Sequence, residues 1–365
     1  MASYRGLTWD HPRGRDALVA ASGELDLVWD VHPLSGFEST PIEELAERYD
    51  VIVLDHPHLG DALAHRCLQP VDEFLAAGAE FAGPSLASYR MDGRLWALPL
   101  DAATQVAATR ADLVEPPQLW SEVVELSHRA PVALSLAGPH ALLTFASICV
   151  ALGEEPGVAD RFVPATGVRA LELMTDLTAR APRHTVSLDP IGLLADMTSD
   201  DTVTHCPLVY GYVNYAAVEL DRRLAFTDAP SERPGSRPGS TIGGTGLAVS
   251  ARCEVGPDLA EHLRWLLSAT AQESFLPGHS GQPARLSAWT APAVNAPVGD
   301  FYRATLRTIT AAWIRPRYAG YIGFQSAASE VIREVLSGAA SIGAGLDRID
   351  TLHSSSRQVV ERIPS

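Results

Sequence analysis

The sequence predicts an α/β protein of two lobes, and three observations carry that reading. The chain has 365 residues, and a domain usually takes roughly 100–200 of them, so a second core is expected. Hydrophobic residues make up 46% and charged residues 20%, a globular composition with enough apolar surface for sizeable cores. Residues 5–54 alternate short apolar runs with amphipathic ones, the order of a parallel sheet with crossover helices. Two lobes imply a cleft.

The first lobe is read in β-α-β-α-β order. Arg5–Trp9 is a short strand that runs into the polar loop at 10–14, and a helix at 15–22 follows. Leu25–Val31 is a second strand, 40–48 a helix with Pro41 in its first turn, and Val51–Leu54 a short apolar strand. After a helix at 59–66, residues 88–100 read as a hairpin. Asp92-Gly93 form its turn, and a returning strand at 95–100 is ended by Pro99.

A strand at 105–109 leaves this lobe, and Pro116-Pro117 open a helix at 118–127. Helices at 141–152 and 168–179 carry apolar residues three and four apart, and Leu208–Tyr210 is a strand among them. The Pro/Gly/Ser-rich run 229–240 reads as a surface loop, and 241–249 as a strand broken by glycines. Helices at 259–269, 299–310 and 325–337 complete the pattern. The expected division is therefore 1–107 plus about 248–300 for a first lobe with a mostly parallel sheet. Residues 108–247 plus about 301–350 form a helix-rich second lobe, and 351–365 a loose polar tail.

Composition excludes several functions. A net charge of −16 and an isoelectric point near 5.1 leave no basic footprint for nucleic acid or an anionic membrane. The sequence contains no lysine, so its 28 basic side chains are all arginine; a lysine Schiff base and a P-loop are ruled out, and arginine-favouring codon usage accounts for the bias. Cys67, Cys149, Cys206 and Cys253 form no C-x-x-C pair and read as buried thiols. Residues 1–16 have no apolar core of a secretory signal, and no stretch reaches the ~20 apolar residues of a membrane span. The chain as given is expected to be cytoplasmic, without membrane insertion, or extracytoplasmic if a leader was trimmed. No Gly-x-Ser-x-Gly, Gly-x-Gly-x-x-Gly or His-Glu-x-x-His motif occurs, so no cofactor is expected.

Several phrases in succession carry a resemblance. They are YDVIVLDHPHLGDAL at 49–63, LQPVDEFL at 68–75 and MDGRLWALPLDAATQVAATRADL at 91–113. They continue with LVYGYVNYA at 208–216, GGTGLAVS at 243–250 and ATAQESFLPGHSGQPARLSAW at 269–289. In this order the chain resembles the bacterial extracellular solute-binding proteins of ABC importers, particularly the sugar-binding type. The resemblance implies a periplasmic-binding-protein-like (Venus-flytrap) fold with a hinged interdomain cleft. It also implies a polar residue after Pro99 that faces ligand. The sequence departs from that family in showing neither an export leader nor a lipobox cysteine, so an ABC permease is an expected partner only if a leader was removed.

Candidate residues cluster at strand ends and in loops. The stretch Trp9-Asp10-His11-Pro12-Arg13-Gly14 offers a ring, an acid, an imidazole and a guanidinium; it is either a binding loop or a packed Trp9 with Asp10 capping the next helix. Asp55-His56-Pro57-His58 follows the most apolar strand, where an α/β sheet presents ligand contacts. Its imidazoles suit hydrogen bonding or acid–base work, with loop capping as the plain alternative. His-x-His spacing names no third ligand, so no metal is expected. Asp101, Thr104 and Gln105 lie at the expected hinge. Tyr210, Tyr212, Asn214 and Tyr215 combine stacking faces with polar tips, which suit sugar rings, although alternate aromatics in a strand are often half core. Gly243 and Gly244 permit close backbone approach or simply shape the hinge. His279, Gln282 and Arg285 occupy a Gly/Pro-containing loop in which Arg285 suits an anionic group. Trp313, Arg315, Arg317 and Tyr318 form a basic-aromatic turn of lower rank.

Two functional expectations follow. One is a binding protein that closes on a small polar or amphipathic molecule in an interlobe cleft. The other is an intracellular enzyme on the same scaffold, with His11, Asp55, His56 and His58 as its acid–base groups for an isomerisation, cyclisation, decarboxylation or hydrolysis.

Overall fold

The computed structural model describes residues 3–23, 25–34, 36, 40–158 and 160–360. The chain divides into two compact units. One comprises 1–103, 243–296 and 317–319; the other comprises 104–242, 297–316 and 320–365. The chain therefore passes between units at 103/104, 242/243 and 296/297, and it returns briefly to the first unit at 317–319. The sequence reading put the crossings at 107/108 and at about 247/248 and 300/301; the first two fall inside strands whose apolar pattern does not change at the crossing.

The first unit is built on a sheet ordered β2 (Leu27–His32), β1 (Tyr4–Trp9), β3 (Val51–Leu54), β10 (Ile242–Ser250) and β7 (Leu98–Thr109). Strands β1 (Tyr4–Trp9), β2 (Leu27–His32) and β3 (Val51–Leu54) run parallel. The returning strand β10 (Ile242–Ser250) pairs antiparallel with β3, placing Leu247 opposite Val53 and Val249 opposite Val51. The short strand β4 (Leu68–Gln69) pairs with β10 beyond that register. All four residues of β3 are buried, as expected of a strand covered on both faces. The hairpin is smaller than its sequence suggests. Only β5 (Arg90–Met91) and β6 (Arg94–Leu95) pair, and Asp92 and Gly93 both take positive φ at the turn. Pro99 does not end a strand: it lies within the twelve-residue β7 (Leu98–Thr109), buried throughout.

In the second unit β7 pairs antiparallel with β8 (His205–Tyr210) and with β9 (Ala225–Thr227). Every residue of helix His140–Ala151 is buried, so this is a core helix and not an amphipathic surface one. Helices Gly167–Thr178 and Tyr321–Leu336 pack on it, and Phe162 meets Phe324 edge-on at 4.8 Å. Helix Pro190–Ser199 went unread in the sequence, although Asp189-Pro190 is a capping signal; Asp189 accepts the Gly192 amide at 2.7 Å. The expected helix at 299–310 is broken into Phe301–Ala304 and Leu306–Thr310.

The tail expected to be loose is instead helix Ile342–Val360; residues 361–365 of that expectation lie outside the described residues. Leu346, Ile349 and His353 are buried at helical spacing, a narrow stripe that the polar composition around it conceals. The run 229–240 is also more than a surface loop. Ser231 and Ser240 are buried, and Ser231 bridges both Leu119 and Pro238. Three of the four cysteines are buried, Cys67 is half-buried, and all are free thiols. No helix among the described residues is long and apolar enough to cross a membrane.

A buried histidine makes the second unit acid-sensitive. His205 on β8 is fully buried, its Nδ1 lies 2.9 Å from Thr109 Oγ1, and its Nε2 has no hydrogen-bond partner. Burial holds its pKa down at about 3, against 6.5 for a free imidazole. Above pH 6.5 both folded and unfolded chains carry it neutral; between 6.5 and 3 the unfolded chain takes up the proton first, so stability falls as pH falls. The slope from this group approaches about 1.4 kcal/mol per pH unit. Urea unfolding from pH 7 to 4 is expected to show a shallower acid loss in His205→Asn than in the parent chain. Equal slopes would remove His205 as the cause.

Candidate functional site

The first unit gathers its polar groups at the carboxyl ends of β1 and β3 and along β7. Past β1, helix Pro12–Ser22 begins with Pro12 in its first turn, and its N-cap is His11, whose Nδ1 accepts the Arg13 amide at 3.1 Å. The sequence reading gave this cap to Asp10, but Asp10 is exposed and pairs with Arg15 at 2.6 Å. Burial, with Arg13 and Arg15 nearby, pulls the His11 pKa down to about 4, so at neutral pH its ring is uncharged. Trp9 is buried with its indole against Gly14. A Cβ added there would fall 2.4 Å from the ring.

Arg13 and Asp101 form the central pair of this unit. Arg13 Nε donates to Asp101 Oδ2 at 2.6 Å and an Arg13 terminal nitrogen to Oδ1 at 2.5 Å, with both side chains 4% exposed. Burial pushes the Asp101 pKa up, and Arg13 opposes that shift. The bidentate match of guanidinium and carboxylate is the geometry that makes such a buried pair tolerable. A water-sized space of about 10 Å³ adjoins it, bounded by Trp9, Leu100, Leu266, Leu276 and Gln282.

Asp55 caps the turn His56–His58 by accepting the His56 amide at 2.9 Å, and its Oδ1 also lies 3.1 Å from His56 Nδ1. His56 and His58 are buried, and the Tyr89 ring meets His56 edge-on at 6.2 Å. Tyr89, which the sequence reading missed, approaches the carbonyls of Leu54 and Gly244 at 3.4 and 3.3 Å. Gly244 has φ 85°, and a Cβ on it would sit 2.4 Å from the Asp101 carbonyl. Glycine is therefore required for β10 to approach β7. Gly243 is buried beside it.

Three loop candidates are engaged internally. Gln282 Nε2 donates to the Ala102 carbonyl at 2.7 Å. Arg285 donates Nε to the Leu267 carbonyl at 2.8 Å and stacks over Phe81. Gln272, also missed, accepts the amides of Ala284 and Arg285 and donates to the carbonyls of Leu100 and Leu266. It sits in a π-helical turn, Ala271–Phe275, a feature that often marks functional positions. His279 is exposed, with Nδ1 2.8 Å from the Phe275 carbonyl and its ring 4.2 Å from that of Phe275.

The second unit holds the remaining candidates. Gln105 is fully committed: Oε1 accepts Ser147 Oγ at 2.5 Å, Nε2 reaches Thr144 Oγ1 at 3.4 Å, and its carbonyl accepts Ser240 Oγ at 2.6 Å. Thr104 Oγ1 joins the same network through Ser240 Oγ and the Thr241 carbonyl. Tyr210 is half-buried with its ring 5.8 Å from that of His140; Tyr212 is buried, and Asn214 is half-buried. Tyr215 Oη reaches the Ile191 carbonyl at 3.4 Å. The basic-aromatic turn is split. Trp313 and Arg315 are buried in the second unit, where Arg315 reaches Gln325 Oε1 at 3.2 Å. Arg317 belongs to the first, donating to the carbonyls of Ala87, Ser88 and Arg90. Among the described residues, no group of three or more His, Cys, Asp or Glu side chains is placed to hold a metal ion.

The mixed sheet, its return strand and the two exchanged units define the fold of ABC-transporter solute-binding proteins, the periplasmic-binding-protein fold. Solved structures similar to this chain carry that fold over nearly its whole length. An ABC transporter solute-binding protein from Agrobacterium radiobacter, in complex with ribitol, superposes with TM-score 0.79 at 20% identity, covering 97% of this chain and 98% of its own. A solute-binding protein from Agrobacterium vitis with bound D-mannitol gives 0.77 at 15% identity over 98% of each chain. The GacH receptor of Streptomyces glaucescens, solved unliganded and with acarbose, gives 0.76 at 18% identity over 99% of each. No protein-family model and no curated protein matches the sequence.

Substitutions at the central pair and at its glycine neighbour are expected to be costly. Asp101→Asn leaves Arg13 charged and buried without its counter-ion, a loss of about 3–5 kcal/mol; urea unfolding measures it, and a cost below about 1 kcal/mol would contradict the burial described. Gly244→Ala forces a Cβ against backbone at a positive φ and is expected to lower stability by about 1–3 kcal/mol.

Proposed function

We propose that the protein binds a small polyhydroxylated solute, a sugar or polyol, and releases it unchanged. The observation that carries this reading is the fold likeness over 97% of the chain to a protein solved with ribitol. D-mannitol and acarbose in the two other structures support the same ligand class. The chemistry of the first unit agrees with it. A neutral His11, the carboxylate of Asp55 and the imidazoles of His56 and His58 are donors and acceptors of the kind that hydroxyl groups require. In the second unit Tyr210, Tyr212 and Asn214 remain the proposed contacts, with aromatic faces suited to the apolar side of a sugar ring. Working inside the cell, such a protein would sense or sequester its solute; an exported form would deliver it to an ABC permease.

Titration calorimetry against a panel of pentitols, hexitols, monosaccharides and maltodextrins is expected to give one saturable ligand that is recovered chemically intact. His56→Ala and Asp55→Asn are each expected to weaken it about tenfold, roughly the 1.4 kcal/mol of one good polar contact. If the native protein, denatured and examined by mass spectrometry, releases only a non-hydroxylated molecule, the ligand class is wrong.

One contact favours the second reading, an acid–base enzyme: the Asp55 carboxylate lies 3.1 Å from His56 Nδ1, an arrangement that orients a general base. In that case His56→Ala abolishes conversion of a bound compound while leaving its affinity. Intact recovery of ligand after prolonged incubation excludes it.

A further inference from the structure

The tip of the β5–β6 hairpin joins a carboxyl group to an unhindered backbone amide. Asp92 is followed by Gly93, whereas every other aspartate in the chain precedes a residue whose Cβ crowds the next amide. Both residues are exposed, and both take positive φ, 51° and 76°, as a two-residue hairpin loop demands.

The two groups that would react are uncommitted. The Asp92 carboxylate makes no hydrogen bond or ion pair among the described residues, and the Gly93 amide donates to none of them. Where a Cβ on Gly93 would lie, no atom beyond the adjacent residues approaches within 4 Å. Only the pairs Arg90–Leu95 and Met91–Arg94 close the hairpin, so the loop changes its φ and ψ without breaking a long ladder, as exposed loop tips do.

We propose that Asp92 is a modification site, at which the folded protein converts aspartate to isoaspartate without an enzyme and independently of any bound solute. The Gly93 nitrogen forms a bond to Asp92 Cγ; the amide proton and the carboxyl hydroxyl leave together as water, which closes a succinimide ring. Water then adds to the ring at the Asp92 main-chain carbonyl, and the bond from that carbon to the Gly93 nitrogen breaks. The backbone now runs through the side-chain carbon, longer by a methylene, and the former main-chain carbonyl is the free carboxylate. The water lost is the water regained, and nothing is oxidised or reduced. The added carbon disturbs the register that holds Arg94 Nε 2.9 Å from Asp72 Oδ2 and the Leu95 amide 3.1 Å from Asp72 Oδ1.

The full chain, kept folded near neutral pH for weeks and then digested for peptide mapping, is expected to yield the peptide that spans residue 92 as two species of equal mass. The newly formed species alone is expected to take a labelled methyl group from S-adenosylmethionine and an isoaspartyl carboxyl methyltransferase, which esterifies the displaced carboxylate. Asp92→Glu keeps the charge but would have to close a larger, slower-forming ring, and is expected to cut the methyl label about tenfold or more. Asp92→Asn, which expels ammonia in place of water, is expected to reach the same isoaspartate about tenfold faster. An unsplit peptide from the folded chain, over a time in which the urea-unfolded chain converts at residue 92, overturns the proposal. Methyl label that Asp92→Glu leaves undiminished overturns it as well.

Discussion

Burying a guanidinium and a carboxylate together is the constraint on which the first unit depends. Neither Arg13 nor Asp101 has solvent to stabilise it, so each requires the other at bidentate geometry. That requirement ties the first turn of helix Pro12–Ser22 to β7 and so fixes where His11 and Trp9 stand. Gly244 and Gly14 are the steric counterparts of the same demand, because β10 and Trp9 reach their positions only where no Cβ intervenes.

The second unit solves a related problem with neutral groups. Helix His140–Ala151 is buried on every side, yet it carries Thr144 and Ser147 inward. Those hydroxyls join Gln105, Thr104, Ser240 and Thr241 in one network, in which the Gln105 carbonyl and both ends of its amide are used. A half-satisfied network in such a place would cost more than an apolar one. Gly239 shows how tight this packing is: a Cβ there would lie 1.9 Å from the Ser147 carbonyl. His205 is a buried base of the same unit whose second nitrogen makes no hydrogen bond.

Several candidates chosen for their chemistry also bond groups of their own unit. Gln105 donates to the Thr144 hydroxyl, Gln282 to the Ala102 carbonyl and Arg285 to the Leu267 carbonyl. A sequence shows that a polar side chain lies near a strand end, not whether a carbonyl close by needs it. Arg13 illustrates the converse. The sequence displayed it inside a dense polar loop, but its partner lies 88 positions away, and no local pattern connects them.

What the sequence by itself determined is the class of architecture and the place of its punctuation. Parallel β1, β2 and β3, the Asp92-Gly93 turn, the core helices and the absence of lysine chemistry follow from period, turn residues and composition, which are local properties. Tertiary structure decided the rest. It carried β7 through Pro99, folded the polar tail into helix Ile342–Val360 around three buried residues, and made His11 the cap in place of Asp10. It also set which polar groups face one another, because pairing across scores of residues depends on how sheets and helices stack, and that information is not written in any short stretch of chain.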